Sequence, residues 1–246
     1  MLFLLRQIRR QLLMKNKVTT YLLYGIGEII LVVVGILIAV QIDDYAQTQK
    51  DKQLTKKYVN ALIEELKANL VTLEQDIQDS QGRMDTLLVL KQMMSAPSAT
   101  IDSLISIARY RFDYAYDPDV HLNNITFRTL ESTGDIRLLN QDLKDSLYAY
   151  QAELIKWSNI IKHNIDYYIE IDIDYHKYYP VSGEAQFLEQ RLADRLWGSI
   201  DKNEFALRFN AMVSNKIIAF RFVLRYQQYL HWKTEKFLRF LQKNNS

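Results

Sequence analysis

The 246-residue chain has no cysteine, and it has few of the residues that interrupt helices. The lack of cysteine excludes disulfides, a thiol nucleophile and a lipoprotein anchor. Only seven glycines and three prolines are present, which argues against a β-sandwich or barrel with its many turns. The motifs of phosphate-binding loops, serine hydrolases and zinc proteases are also lacking. We therefore expect a protein that is not an enzyme and that uses no cofactor.

The most informative segment is the apolar run at residues 18–42, VTTYLLYGIGEIILVVVGILIAVQI, in which Glu28 is the single charge. A helix needs roughly 20 apolar residues to cross the ~30 Å hydrocarbon core of a bilayer. A cleaved signal sequence is the alternative, but its apolar part is only about 7 to 15 residues long and ends at a small-residue cleavage site. The run therefore predicts a transmembrane helix over residues 18–42, with the lipid bilayer as its first partner.

The charges beside this run indicate its orientation. Five basic residues precede it without any acid, whereas Asp43 and Asp44 follow it directly. Basic flanks stay in the cytoplasm, so residues 1–17 are predicted to be cytoplasmic and residues 43–246 extracytoplasmic. Four lysines between positions 50 and 57 weaken this orientation. The first residues, MLFLLRQIRRQLLM, are either a plain basic flank or a segment lying in the headgroup plane.

Two segments resemble a known family. The first is TTYLLYGIGEIILVVVGILIAVQIDDYAQ, with its GIGEI opening and GILIA centre, and the second is TFRTLESTGDIRLLNQDLKDSLYAY at residues 126–150. Together they resemble an uncharacterised membrane-anchored family common in Bacteroidota, although Tyr45 stands where that family typically has tryptophan. The resemblance implies a single-pass protein of the inner membrane in a Gram-negative cell, with a periplasmic domain. It supplies no catalytic residue.

Helical periodicity runs through almost all of residues 43–246. We predict an all-α fold, in which the N-terminal transmembrane helix is followed by an elongated antiparallel helical bundle with coiled-coil spacing. The first helix of the bundle is expected to continue the membrane helix outward, either directly or after a break near residues 43–49. Gly134 is expected to end a helix in the left-handed conformation, and Asn140 to cap the next one. The predicted helices are 47–94, 101–111, 125–132, 140–178, 184–197 and 203–242.

Charge is unevenly distributed within a nearly neutral domain. Residues 43–246 hold 26 basic and 28 acidic side chains, without the basic patch of a nucleic-acid-binding protein, so no nucleic-acid partner is expected. Residues 202–243 hold nine basic and two acidic side chains, whereas residues 64–85 hold six acidic and two basic ones. Antiparallel packing of these two segments would pair opposite charges at their periphery.

The densest polar segment lies between residues 163 and 176. On a helix, His163, Asp166, Glu170 and Asp174 share one face, and Asp172 lies one turn before His176. These side chains are types that bind divalent metals, but di-metal sites of helical bundles use Glu-x-x-His on two helices, and the chain has no such motif. We therefore interpret the stripe as a solvated helix face and predict no metal site.

Tyrosine is abundant, with 16 copies, and the segment RYRFDYAYDPDVH holds three of them in seven positions. Tyr110, Tyr114 and Tyr116 form a candidate binding surface for a small ligand or a protein, because tyrosine offers contact area at low entropic cost. The alternative is that they close one end of the bundle.

Residues 232–243 mix aromatics with cations, and they either touch a membrane surface or simply end the last helix.

These features favour a non-catalytic, inner-membrane-anchored subunit that assembles with itself as a homo-oligomer or with another envelope protein. The alternative is an extracytoplasmic ligand-sensing module that signals laterally through its membrane helix.

At 100° per residue, five positions of the span lie within about 80° of one another, which brings the single charge onto a face of small residues. This candidate membrane helix packing face comprises Gly25, Glu28, Val32, Gly35 and Ala39.

Overall fold

The computed structural model describes residues 17–116, 122–180 and 188–244, with side chains from residue 21 onward. Within these ranges all regular structure is helical, so the predicted all-α class is confirmed. The elements are α1 (Lys17–Met94), α2 (Ile101–Tyr110), α3 (Ile125–Thr133), a 3₁₀ helix (Asp135–Leu138), α4 (Gln141–His176), α5 (Gln190–Gly198) and α6 (Lys202–Asn244).

Helix α1 continues without interruption from Lys17 to Met94, so the expected outward continuation of the span is confirmed, and the alternative of a break near residues 43–49 is wrong. No glycine or proline lies between positions 36 and 81, and the Thr48 hydroxyl donates to the Asp44 carbonyl at 2.8 Å inside the helix. The polar composition of this stretch therefore changes what surrounds the helix and leaves its backbone hydrogen bonds intact. Residues 1–16 of the predicted cytoplasmic segment lie outside the described residues.

The chain divides into two compact units between Lys57 and Tyr58. In the first unit, the described part is the N-terminal portion of α1. The second unit contains the remainder of α1 and all later elements. The predicted boundaries at 17/18 and 42/43 concern the environment of the chain and stay predictions.

Local chemistry places the helix ends close to their predicted positions. Gly134 has φ of +74° at the end of α3, a conformation that costs a residue with a side chain about 1 to 2 kcal/mol. Asn140 caps α4, since its side-chain oxygen accepts from the Leu143 amide at 2.9 Å. Helix α5 begins at Gln190, and the start predicted at residue 184 lies outside the described residues.

Contacts within the second unit give the directions of its three long helices. Tyr150 of α4 bonds Thr234 of α6 and Trp157 stacks on Tyr226, so α4 and α6 are antiparallel. Helix α6 is also antiparallel to α1, because its C-terminal end packs near residues 59–66 and its N-terminal half near residues 84–94. The segment that includes α2 and α3 returns the chain, which makes α4 parallel to α1.

Two hydrophobic cores lie along this bundle. The leucine core joins the 59–66 turns of α1 to α3, the start of α4 and the end of α6. The aromatic core lies at the other end of the long helices, where α2, α5 and the segment after α2 cover them. Its buried rings are Phe112, Tyr116, Tyr168, Tyr175, Tyr179, Trp197, Phe205, Phe209 and Phe220.

Candidate functional site

The predicted packing face of the span is open along its whole length in the described part of the chain. A Cβ built on Gly25 or Gly35 would meet nothing within 4 Å, and Glu28 is exposed. Glu28 has no hydrogen-bond or ion-pair partner among the described residues. Helix α1 is apolar enough here to cross a membrane, with an 18-residue window of mean hydropathy 2.6 and none of that window buried. Any partner for this face must come from outside the described chain.

The three tyrosines of the candidate binding surface separate in the structure. Tyr110 lies at the end of α2 with 64% of its surface exposed. Tyr116 is buried, with its ring 5.0 Å from that of Tyr168, and Tyr114 is half-buried beside Tyr175. Only Tyr110 of the three is exposed, whereas Tyr114 and Tyr116 pack in and against the aromatic core.

The centre of this region is a buried lysine. Lys216 of α6 is only 2% exposed, and its Nζ donates to the backbone carbonyl oxygens of Asp113 and Ala115, the latter at 2.7 Å. Its ammonium also lies 5.1 Å from the Phe112 ring centre. Lys216 makes no ion pair with a carboxylate of the described residues, so the carbonyl oxygens are its hydrogen-bond partners. We name this arrangement the lysine clamp, because it fastens the segment after α2 onto α6.

Burial changes the protonation of the lysine clamp. Desolvation of the ammonium, with a smaller contribution from nearby Arg83, lowers the pKa of Lys216 to about 8. Asp113 and Asp172 oppose this effect through their negative charge. The side chain is therefore close to its titration point in mildly alkaline solution, whereas a solvated lysine is fully charged there.

The tyrosine hydroxyls around the clamp bond mainly to the backbone. Tyr168 donates to the Tyr114 carbonyl oxygen at 3.1 Å, and Tyr114 donates to that of Ala108 at 3.1 Å. Burial is the main cause that raises the pKa values of both phenols above the ordinary value, so they remain neutral donors across the physiological range. The first bond holds the segment after α2 against α4, as the lysine holds it against α6, and the second holds it against α2.

We expect the lysine clamp to make stability depend on pH. Because the folded-state pKa is near 8 and the ordinary value is 10.5, the unfolded chain binds more protons between these values. The free energy of unfolding should therefore rise with pH, by up to about 3 kcal/mol over the full interval. We predict that Lys216→Met removes this rise, measured by denaturant unfolding at pH 7.5 to 9.5 and followed by tryptophan fluorescence. An equal rise in the variant would contradict the assignment.

One member of the predicted polar stripe of α4, Asp174, makes ion pairs, and Asp172 beside the stripe contacts His176. Asp174 accepts from Arg208 of α6 at 3.0 Å, and His176 Nδ1 lies 3.2 Å from an oxygen of Asp172. The described residues contain no cluster of three or more histidine, aspartate or glutamate side chains with the geometry of a metal site. Of the four histidines of the chain, His121 lies outside the described residues. The stripe thus contributes contacts between α4 and α6 and within α4.

A second polar site joins α1 to α3. One oxygen of the buried Glu65 accepts from both the amide and the hydroxyl of Thr126, each at 2.8 Å. Thr126 is in the first turn of α3, whose own N-cap, Asn124, makes no side-chain cap bond. Glu65 therefore supplies the missing cap from another helix, with a charge that also suits the helix dipole.

Asn69 extends this contact by one turn of α1. Its amide donates to the Asn123 carbonyl oxygen and accepts from the Asn123 amide, both at 2.8 Å. Near the other end of α3, the Tyr58 hydroxyl donates to Asp135 at 2.7 Å. We call the contacts of Glu65 and Asn69 with residues 123–126 the α1–α3 latch.

Comparison with known proteins matches residues 28–157 to the model of DUF6090, a family of unknown function. The match covers more than half of the chain, begins inside the first segment on which the resemblance rests and includes the whole of the second. The chain belongs to this family. No curated protein and no solved structure matches it.

The DUF6090 segment contains both sides of the α1–α3 latch, and it also contains Tyr58 and Asp135. It ends in α4, so Lys216 and all of α6 lie outside it. The second signature segment, residues 126–150, therefore has a structural role in this DUF6090 member. Its Thr126 binds Glu65, Gly134 ends α3, Asn140 caps α4, and its leucines fill the leucine core.

Sequence reasoning missed the lysine clamp and the latch. Lys216 is one of the nine basic side chains counted over residues 202–243. Its position, seven residues after Phe209 and four before Phe220, instead places it in the apolar seam. The same 3.5-residue spacing places Asn69 on the buried side of α1, seven residues after Leu62. A polar residue at a seam position was therefore the available signal.

Proposed function

We propose that this protein is a non-catalytic subunit of the inner membrane that assembles with itself or with another envelope protein through its membrane helix. The observation that carries the proposal is the face formed by Gly25, Glu28, Val32, Gly35 and Ala39. Small residues allow close approach of two helices in a bilayer, and a polar side chain on the same face favours association. An ionisable residue at such a position is costly in lipid without a partner.

The location follows the same reasoning. The basic residues before the span favour a cytoplasmic N-terminus, and the domain after residue 42 is then periplasmic. The helical second unit, with its fastened segments, would serve as the folded part offered to partners in that compartment. Membership of a family of unknown function supports no specific partner.

We predict that Glu28→Leu weakens association in the bilayer without preventing insertion. Polar contacts between membrane helices contribute roughly 0.6 to 2 kcal/mol, so the dissociation constant should rise about three- to thirtyfold. Because the chain has no cysteine, Val32→Cys gives a single disulfide-forming site on the proposed face. The measurement is the yield of crosslinked dimer in membranes, with and without Glu28→Leu, at equal expression.

Two matched variants serve as controls for this measurement. Glu28→Gln keeps a hydrogen-bonding group and should retain most of the crosslinking, whereas Ile30→Leu, on the opposite face, should have no effect. If Glu28→Leu and Ile30→Leu behave alike while Val32→Cys forms dimers, Glu28 is not part of the contact. If no variant is crosslinked and no partner copurifies from native membranes, the assembly proposal fails.

A ligand-sensing module is the second candidate function. It is favoured by a cleft with a volume of about 440 Å³, formed by the end of α1, α2 and the N-terminal half of α6. Lys91 and Met94 of this cleft belong to α1, the helix that also contains the apolar span. A ligand bound there would raise the stability of the protein, and the gain would grow with the logarithm of the ligand concentration once that concentration exceeds the dissociation constant.

A further inference from the structure

The cleft beside the end of α1 combines an apolar floor with two free cations. Met94, Leu104, Val213 and Ile217 supply the apolar surface, and Val213 and Ile217 are almost completely buried beneath it. Its volume of about 440 Å³ falls within the 300 to 1,000 Å³ range of small-ligand sites. Apolar surface of this kind binds the hydrocarbon part of a ligand.

Lys91 and Arg221 line the same cleft from α1 and α6. Both are exposed, and neither side chain makes a hydrogen bond, an ion pair or a ring contact with the described residues. The other cations of this region differ in this respect, since Lys216 is fastened to carbonyl oxygens and Arg208 pairs with Asp174. The cleft therefore presents two unpaired positive charges beside its apolar floor.

We propose that this cleft binds a small anionic amphiphile, a molecule with a carboxylate or phosphate head and a short hydrocarbon body. The head lies between Lys91 and Arg221, where both side chains donate charge-assisted hydrogen bonds. The body covers Val213 and Ile217 and displaces water from the floor. Ser95 and Ser214, which also line the cleft, offer hydroxyl groups at its edge.

The class of ligand follows from this pairing of features. A purely apolar molecule leaves the two cations without a counter-charge, and a small inorganic anion leaves the apolar floor in water. An amphiphile with one anionic head satisfies both parts at once. The site is independent of the proposed association in the bilayer, because none of its residues belongs to the span. It would supply the ligand of the second candidate function.

The test uses the full chain in nanodiscs of zwitterionic lipid, titrated at pH 7.5 with octanoate in a calorimeter and corrected with empty nanodiscs. Octanamide is the neutral analogue of octanoate, and acetate has the carboxylate group without the long hydrocarbon chain. We expect saturable binding of octanoate, with at least tenfold weaker binding of both control compounds. Equal binding of octanamide, equal binding of acetate, or no saturable heat with octanoate overturns the proposal.

Variants assign the binding to this cleft. The double variant Lys91→Gln with Arg221→Gln is expected to lower the affinity for octanoate at least tenfold, and Lys91→Arg with Arg221→Lys to keep it within threefold. Arg225→Gln, an exposed cation one turn further along α6, should leave it unchanged. An unchanged affinity in the double glutamine variant places octanoate elsewhere and contradicts the assignment, whatever the result of the crosslinking with Glu28→Leu.

Discussion

Replacing Glu65 by alanine is expected to lower the free energy of unfolding of the second unit by about 3 to 5 kcal/mol. The variant loses two hydrogen bonds to a carboxylate, each contributing roughly 1.5 to 3 kcal/mol, and it leaves the buried amide of Thr126 without an acceptor. It also removes the cap of α3. Denaturant unfolding followed by tryptophan fluorescence measures the effect, since all three tryptophans lie in residues 58–246.

Two controls separate the latch from a general effect of removing charge. Glu65→Gln retains a carbonyl oxygen in the same position and should cost at most about 2 kcal/mol. Glu64→Ala removes the neighbouring carboxylate, which is exposed and pairs with Lys67, and should cost less than about 1 kcal/mol. If Glu65→Ala and Glu64→Ala have the same stability, the α1–α3 latch does not stabilise the fold.

Phe209→Ala is the second substitution for which we expect a large effect, about 3 to 5 kcal/mol of lost stability. Phe209 is completely buried in the aromatic core, stacked on Phe205 at 5.5 Å and in edge contact with Phe112 at 5.4 Å. Its removal leaves a cavity between α6 and the segment held by the lysine clamp, and the loss combines lost transfer energy with the cost of that cavity.

The matched control is Leu207→Ala on the same helix. Leu207 is 74% exposed, so its truncation should change stability by less than about 0.5 kcal/mol. Both variants are measured by the same denaturant titration. A loss below about 1 kcal/mol for Phe209→Ala would mean that the aromatic core is not packed as described.

The helical class and the helix ends were predictable because they depend on local chemistry. A chain with so few glycines and prolines has few places to end a helix, and Gly134 and Asn140 act where their backbone and capping preferences indicate. The outward continuation of the span was predicted as well, but a break at residues 43–49 was left as an alternative. Polar residues there suggested a boundary, but polarity alone does not interrupt the hydrogen bonds of a helix.

The lysine clamp and the latch depend on contacts between residues far apart in sequence, and this limits their prediction. Lys216 meets Ala115 across 101 positions, and Glu65 meets Thr126 across 61. A lysine or a glutamate in a helix is usually solvated, so its type suggests exposure. The direction of α4 and α6 relative to α1 decides these contacts, and that direction depends on the return segment between α2 and α4.

The proposed function requires that one face of the apolar span contacts a partner, either a second copy or another protein. The most direct measurement introduces a small diazirine amino acid at one position of the span at a time and compares crosslinking yields in native membranes. The account predicts high yields at positions 25, 28, 32, 35 and 39 and low yields at positions 26, 30 and 37 on the opposite face. Yields that are equal around the helix, or no adduct at any position, would contradict it.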